Sequence, residues 1–278
     1  MIADVRRAED GTRKLLLRLP DRQAIEAVII PATGRTTLCV SSQVGCAMKC
    51  AFCATARMGL RRNLSAGEIV GQVIAARRYL DDGERLTNYV FMGMGEPLAN
   101  YDRLVRALRI MTAPWGMAIS PRRITVSTVG LLPLIERLLR ETQVQIAVSL
   151  HATSDELRNR LAPINQRYPL RQLLETCARL DLGRRRVTFE YVMLAGVNDS
   201  DADARRLVKL LAPMRAKLNL ICFNPFPGAG FSGSERARVE AFKALVLEGN
   251  VTATVRESRG RDIAAACGQL RAENSPAQ

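Results

Sequence analysis

Residues 37–53 read TLCVSSQVGCAMKCAFC, and this stretch decides the fold. It begins with a run of β-forming residues, Thr37–Ser41, and continues to Cys46, Cys50 and Cys53 in a C-x3-C-x2-C spacing. In parallel α/β barrels, functional side chains follow the carboxyl ends of the strands. A strand that leads into three closely spaced cysteines therefore predicts a barrel whose first strand is followed by a metal-binding loop.

The three cysteines differ from most metal sites in having no fourth partner nearby. Three thiolates can ligate three irons of a cubane cluster and leave the fourth iron open, whereas iron–sulfur clusters usually have four cysteine ligands. A structural zinc site would require a further Cys or His at short spacing, and the single histidine, His151, is far away in the sequence. Buried core cysteines, the other alternative, do not usually cluster around a lysine. The spacing therefore favours an iron–sulfur cluster on Cys46, Cys50 and Cys53.

Beyond this loop, short β-forming runs alternate with segments of helical periodicity. The predicted strands are Thr37–Ser41, Asn88–Met92, Arg123–Ser127, Val144–Leu150, Arg186–Met193, Leu218–Phe223 and Val251–Arg256. The predicted helices are Ala66–Tyr79, Leu104–Met111, Leu131–Arg140, Leu170–Leu180, Asp201–Leu211 and Glu235–Leu247. This alternation indicates an α/β fold with a parallel sheet, in the form of a partial (β/α)6 barrel of the TIM type. An open doubly wound sheet is the alternative.

The segment before the alternating region has a different pattern. The apolar runs Lys14–Leu19 and Ala24–Pro31 are separated by Pro-Asp-Arg and predict a β-hairpin. We therefore expect a hairpin extension over residues 1–34, a core barrel over residues 35–270 and a disordered tail over residues 271–278.

The composition is that of a globular protein with a strong positive charge. Forty-one Lys and Arg residues against 27 Asp and Glu give a net charge of +14, which favours a nucleic acid as partner. The sequence has no apolar run long enough to span a bilayer and begins without the apolar stretch of a secretory signal. Its odd number of cysteines, seven, argues against a structural disulfide framework. A cytoplasmic protein without membrane contact is expected.

Five sequence blocks carry a specific resemblance. They are TLCVSSQVGC (37–46), MGMGEPL (92–98), SLHA (149–152), NPFP (224–227) and ACGQL (266–270). With the cysteine motif, they resemble the radical S-adenosylmethionine (SAM) superfamily and, within it, the RlmN/Cfr family of RNA adenine methyltransferases. The resemblance runs from about Glu26 to Leu270, and the blocks look closer to the RlmN branch, which modifies carbon 2 of adenine. It implies a [4Fe-4S] cluster and two SAM molecules per turnover.

The resemblance also implies a mechanism that proceeds through the protein. Cys267 matches the cysteine that is methylated and then bonds the methyl carbon to the adenine ring. Cys39 matches the thiol that resolves this crosslink by forming a transient disulfide with Cys267. Glu26 matches the acceptor of the ring proton, although a Glu that alternates with apolar residues would by itself lie on the solvent side of a strand.

The remaining matched positions are those of the family's cofactor contacts. Gly95 and Glu96 match the motif that binds the methionine amino group. The other matches are Ser127, Ser149, Leu150, His151 and Asn224. Most of them fall at the ends of predicted strands, where a barrel places its active site.

The resemblance implies partners but leaves alternatives open. The implied partners are ribosomal RNA, transfer RNA or both, and a low-potential electron donor such as flavodoxin or ferredoxin, with the enzyme acting as a monomer. Familiar members carry an N-terminal helical domain, and Glu26 lies so early that most of that domain is expected to be missing. The alternatives are a carbon 8 methyltransferase of the Cfr type, a radical SAM enzyme acting on a partner protein, and a non-catalytic nucleic-acid-binding protein with zinc.

Overall fold

The computed structural model of the chain describes residues 1–183 and 185–272. Within them the strands are β1 (Ile2–Arg7), β2 (Arg13–Arg18), β3 (Ala24–Ala32), β4 (Arg35–Cys39), β5 (Gln43–Gly45), β6 (Leu60–Asn63), β7 (Leu86–Phe91), β8 (Ile124–Thr128), β9 (Gln145–Ser149), β10 (Val187–Met193), β11 (Ala216–Cys222) and β12 (Thr252–Arg256). The α-helices of the same residues are α1 (Ala54–Arg57), α2 (Ala66–Arg77), α3 (Tyr101–Thr112), α4 (Leu132–Glu141), α5 (Asp155–Leu161), α6 (Leu170–Arg179), α7 (Asp201–Leu211) and α8 (Arg236–Glu248). Of the tail predicted to be disordered, residues 273–278 lie outside the described part of the chain.

Most of the strands belong to one large sheet. Its order is β1-β2-β3-β4-β7-β8-β9-β10-β11-β12, while β5 and β6 form a separate two-stranded ribbon. Neighbouring strands from β4 to β12 are parallel, and the connections between them contain the helices α1 to α8. Each strand and helix predicted for this region overlaps an observed one. The predicted parallel α/β architecture is confirmed.

The sheet curves around a central cavity. Cys39 on β4 and Arg256 on β12 line the same cavity of about 790 Å³, although these two strands stand apart in the strand order. The first and last parallel strands therefore face a common interior, as in a barrel that is not closed. We call this space the lumen.

The N-terminal extension contains one strand more than the predicted hairpin. Strand β1 pairs antiparallel with β2, β2 with β3, and β3 with β4, so the extension continues the main sheet. The sequence of β1, IADVRR, has apolar residues only at Ile2, Ala3 and Val5, and four of its six residues are exposed. An edge strand of this kind buries too little surface to produce an alternating pattern, which explains why the sequence did not predict it.

Alternation along the parallel strands separates the core from the lumen. In β8, Ile124 and Val126 are fully buried in the hydrophobic core, whereas Thr125 and Ser127 line interior pockets. Successive side chains of a strand point to opposite faces, so the apolar set packs under the helices and the polar set faces inward. None of the helices in the described residues is long and apolar enough to cross a membrane.

Candidate cofactor site and active site

The three cysteines of the motif lie on the loop between β5 and α1. Cys46 directly follows β5, and Cys53 is the N-cap residue of α1. Cys46, Cys50 and Cys53 line one pocket together with Glu96 and His151, which we call the cofactor pocket. Cys267 lines it as well, so the structure brings residues from four of the five sequence blocks to one place.

Backbone contacts fix both ends of this loop. The Cys46 N–H donates to the Gly59 carbonyl at 3.0 Å, and the Ala54 N–H donates to the Gly268 carbonyl at 2.7 Å. Gly45 permits the first contact, because it has φ +77° and a Cβ at this position would lie 1.8 Å from the Gly59 oxygen. The second contact ties the cysteine loop to the residue that follows Cys267.

Burial favours the neutral form of the three thiols of the motif. Burial raises the pKa of Cys46 to about 12, and burial followed by repulsion from the other two thiols raises the pKa of Cys50. Burial also raises the pKa of Cys53. Within residues 1–183 and 185–272, no three His, Cys, Asp or Glu side chains are placed to hold one metal ion between them. The thiols instead surround a pocket, and a bound cation would favour their thiolate forms.

Gly95 and Glu96 form a second wall of the cofactor pocket. The Glu96 carboxylate accepts hydrogen bonds from the N–H groups of Leu98 at 3.0 Å and Val129 at 2.9 Å, and burial raises its pKa to about 7. Gly95 has φ +100°, and a Cβ there would lie 2.5 Å from the Cβ of Gln43. Only neutral donors hold the carboxylate, so a cationic ligand could form a stronger, charge-assisted hydrogen bond with it.

Ser127, Ser149 and His151 complete the pocket from the ends of β8 and β9. His151 has a left-handed backbone, with φ +59°, which turns the chain after β9. Its Nδ1 accepts a hydrogen bond from the Val192 N–H at 3.0 Å, and its ring contacts Phe52 at 4.4 Å between centroids. Burial lowers the pKa of His151 to about 3, so the ring is neutral at physiological pH and leaves Nε2 as a donor.

Two predicted cofactor contacts lie outside the lining of this pocket. Leu150 is fully buried in the hydrophobic core, and both its backbone N–H and its carbonyl are hydrogen-bonded within the protein. Asn224 lines the lumen, where its Oδ1 accepts a hydrogen bond from the Arg261 Nε at 2.9 Å. Its Nδ2 donates to the Cys222 carbonyl at 3.1 Å.

Arg158 on α5 is a buried cation that the sequence analysis did not single out. Its side chain is 1% exposed, and its guanidinium donates to the carbonyls of Val129, Ser149 and Leu150 at 2.9 to 3.2 Å. A fourth bond, at 2.8 Å, goes to the Asn165 side chain. Arg158 therefore joins the ends of β8 and β9, the strands that carry the far wall of the cofactor pocket. No local pattern distinguishes it from an exposed arginine.

Replacing Arg158 should destabilise the protein more than replacing an exposed neighbour. Arg158→Met removes a donor from the carbonyls of Val129, Ser149 and Leu150, of which Leu150 keeps the Ala152 N–H, and we expect it to lower the free energy of unfolding by about 2–4 kcal/mol. Thermal unfolding followed anaerobically by circular dichroism should show a melting temperature lower by roughly 5–12 °C. Arg160→Met is the matched control, because Arg160 lies on the same helix and is exposed. Equal melting temperatures for the two variants would refute this role.

Cys39 and Cys267 come together in the lumen although 228 positions separate them. Both are free thiols, Cys39 on β4 and Cys267 on the loop that follows β12. Burial, and then the proximity of Cys267, raise the pKa of Cys39 to about 12, while the positive charge of Arg256 opposes this shift. Cys267 also lines the cofactor pocket and is thus one of the residues that line both cavities.

Glu26 is buried, in contrast to the solvent-facing position that its alternation alone would indicate. It is 5% exposed, and its Oε1 pairs with the Lys14 Nζ at 3.1 Å. Its Oε2 accepts a hydrogen bond from the Arg271 N–H at 2.8 Å, and Lys14 also donates to the Ala264 carbonyl at 3.3 Å. The pair therefore holds both ends of the loop that carries Cys267.

The chain is similar to known proteins over most of its length. Residues 40–208 match the family model of the radical SAM superfamily. The chain is 54% identical over 267 residues to the dual-specificity RNA methyltransferase RlmN of Syntrophobacter fumaroxidans, covering 96% of this chain and 78% of that protein. It is 53% identical to the protein of the same name from Anaeromyxobacter dehalogenans, covering 99% of this chain and 76% of that one. A crystal structure of a radical SAM methyltransferase from Sphaerobacter thermophilus superposes with a TM-score of 0.96 at 52% identity, covering 98% of this chain and 81% of that one.

Proposed function

Because the chain belongs to the radical SAM superfamily and, within it, to the RlmN family, we propose that it methylates carbon 2 of an adenine in RNA. Ribosomal RNA is the proposed principal substrate, with transfer RNA as a second one. The net charge of +14 supports a polyanionic partner. We further propose that the protein acts in the cytoplasm as a monomer and receives electrons from a flavodoxin or ferredoxin.

One observation carries this proposal. Cys267 lines both the cofactor pocket, with Cys46, Cys50 and Cys53, and the lumen, with Cys39. A cysteine that must first accept a methyl group and then reach a substrate base needs access to both spaces. A radical enzyme that acts without a covalent cysteine intermediate would have no use for this arrangement.

The cofactor pocket has suitable groups for both cofactors. Cys46, Cys50 and Cys53 would hold a [4Fe-4S] cluster, and Glu96 with the Gly95 backbone would bind the amino group of SAM. The other proposed cofactor contacts are Ser127, Ser149 and His151 in this pocket, and Leu150 and Asn224 outside its lining. When bound, the cluster and two SAM molecules per turnover supply one methyl group and the one-electron cleavage that activates it.

The chain's own residues would then perform the transfer. Cys267 accepts the methyl group on its sulfur and forms the bond between that carbon and the adenine ring. Glu26 takes up the proton that leaves the ring carbon, the one electron that the radical adduct loses with it would pass to the cluster, and the proton would replace the Lys14 or Arg271 contact of the Glu26 carboxylate. Cys39, as a thiolate, attacks the Cys267 sulfur, and the carbon–sulfur bond breaks as the disulfide forms. The electron pair of the broken bond stays on carbon, which is protonated to the methyl group.

Mass mapping of RNA tests the proposed function. Reduced enzyme is incubated with unmodified ribosomal and transfer RNA and with SAM carrying a deuterated methyl group. The digested nucleosides are then compared with 2-methyladenosine and 8-methyladenosine standards. We expect label in 2-methyladenosine. Label only in 8-methyladenosine, on an exocyclic nitrogen or in a protein would overturn the proposal.

Gly95 allows a sharp test of the SAM-binding wall. In Gly95→Ala the new methyl group would clash with Gln43, so the Gly95–Glu96 segment must shift. Displacing the charged hydrogen-bond acceptor should weaken SAM binding by about 10-fold or more. Equilibrium dialysis of the cluster-loaded enzyme measures the affinity. Gly71→Ala on α2 is the matched control, because nothing lies within 4 Å of its Cβ position. If the two variants bound SAM with equal affinity, the assignment of Gly95 and Glu96 to SAM binding would be contradicted.

A further inference from the structure

A polar ladder crosses the lumen beside the two reactive cysteines. Glu190 on β10, Asn219 on β11 and Thr254 on β12 are register partners in adjacent parallel strands. All three line the lumen, and hydrogen bonds connect them in series. The interior faces of parallel strands in small barrels are usually filled by packed side chains. This lumen is instead a large cavity with a polar wall.

The hydrogen bonds of the ladder leave Glu190 with spare capacity. Glu190 is 3% exposed, and its two carboxylate oxygens share a single donor group, the Asn219 Nδ2, at 3.0 and 3.3 Å. A carboxylate has about four acceptor positions, and Glu190 lines the lumen, so a ligand in the lumen can supply further donors. A buried carboxylate with unused acceptors is costly unless a ligand or water supplies donors. Burial raises the pKa of Glu190, in agreement with this environment.

The orientation of Asn219 is fixed by its two neighbours. Its Oδ1 accepts from the Thr254 hydroxyl at 3.0 Å, and its Nδ2 faces Glu190. The two residues therefore present a carboxylate acceptor and an amide donor side by side. Adenine offers the complementary pair, since its exocyclic amino group donates and the adjacent ring nitrogen accepts. Guanine would place a carbonyl oxygen against the carboxylate and be repelled.

The ladder lies close to the reacting atoms. Glu190 lines both the lumen and the cofactor pocket, a property that it shares with Met92, Ile221 and Cys267. Arg256 lies within the same lumen, with its Nη1 3.1 Å from the Met92 sulfur, and its positive charge interacts with Cys267 and Glu190. A base held by Glu190 would therefore lie in a cavity that is also lined by Cys267, whose sulfur would receive and deliver the methyl group.

We propose that Glu190 and Asn219 bind the target adenine inside the barrel, with the Glu190 carboxylate accepting a hydrogen bond from its exocyclic amino group. This inference rests on the proposed function and adds to it the groups that select the base. An RNA base reaches such a site only unpaired and turned out of its stack. The ladder selects adenine once the base is in the lumen, whereas the arginines of the surface contribute to affinity for any RNA.

A cycle that changes both the enzyme and the base tests the proposal. Two RNA fragments carry the mapped target position as adenosine or as purine riboside, which lacks the exocyclic amino group. Wild-type enzyme and Glu190→Gln are compared on both under kcat/KM conditions. A hydrogen bond to a charged group predicts that purine riboside costs the wild type about 10- to 100-fold. Glu190→Gln should lose a similar factor on adenosine and little more on purine riboside.

Each outcome decides the question. The proposal would be overturned if the losses in kcat/KM from the variant and from the missing amino group multiplied when combined. Equal kcat/KM of the wild type on both RNAs would also overturn it, without any variant. Removing the amino group changes the ring's reactivity equally for both enzymes, so the coupling isolates the contact. Thr188→Val, which lines the same lumen, should behave as the wild type. Methylation of Cys267, measured by peptide mass, should persist in Glu190→Gln. A wild-type enzyme that is inactive on both RNAs would overturn the proposed function itself.

Discussion

Cys39→Ala should convert the protein from an enzyme that releases methylated RNA into one that stays attached to it. The proposed crosslink joins the Cys267 sulfur to the base through the methyl carbon, and a second thiolate is needed to break it. Cys39 is the thiol that lines the lumen with Cys267, and it is 5% exposed, so bulk solvent thiols have little access to replace it. Reaction should stop after a single turnover. A denaturing gel should show RNA that migrates with protein, and nuclease digestion should leave a nucleotide mass on the Cys267 peptide.

Two variants make this result specific. Cys222→Ala removes a half-buried thiol on β11 that lies outside the lining of both cavities, and it should release RNA normally. The double variant Cys39→Ala/Cys267→Ala should form no adduct, because the attachment point is gone. Repeated turnover with free methylated RNA from Cys39→Ala would remove Cys39 from the mechanism.

Cys50→Ala should abolish cluster binding and all radical chemistry. Each of the three thiolates would ligate a different iron, and a lost corner leaves an iron exposed to solvent. We expect anaerobically purified wild type to be brown with about four irons per chain, and the variant to be almost colourless. Iron analysis and the visible absorption spectrum measure this directly, without RNA or SAM.

Cys177→Ala is the control for Cys50→Ala. Burial raises the pKa of both thiols. Cys177 lies on α6 in the hydrophobic core, whereas Cys50 lines the cofactor pocket. Cys177→Ala should therefore keep its iron and its activity. Zinc in place of iron in the native protein, or a full iron content in Cys50→Ala, would contradict the cluster assignment.

The sequence predicted long, regularly patterned elements well and short ones poorly. Helix α7 begins and ends as predicted, because Ser200 caps it and Asp203 closes a capping box before an amphipathic run. The predicted strands of the barrel overlap the observed ones, since each is a compact β-forming run between helices. Helix α5 was missed because seven residues give too few turns for a periodic signal. The ribbon β5-β6 was missed because three and four residues give no alternation.

The sequence by itself determined the chemistry of the cofactor pocket. The spacing of Cys46, Cys50 and Cys53 predicts a cluster with an open iron, and the family resemblance marked Glu96 and His151. The structure places all five residues around one pocket, because residues in one loop and at the ends of parallel strands are ordered by local sequence and sheet topology.

The tertiary structure decided which side chains from distant segments lie close together and which of them are buried. It placed Cys39 beside Cys267, buried Glu26 against Lys14, and put Arg158 under the strand ends. It also aligned Glu190 with Asn219 across two strands, which no single segment of sequence shows. Burial and distance depend on packing between segments far apart in the chain, so an ionisable side chain looks the same in sequence whether it is solvated or enclosed.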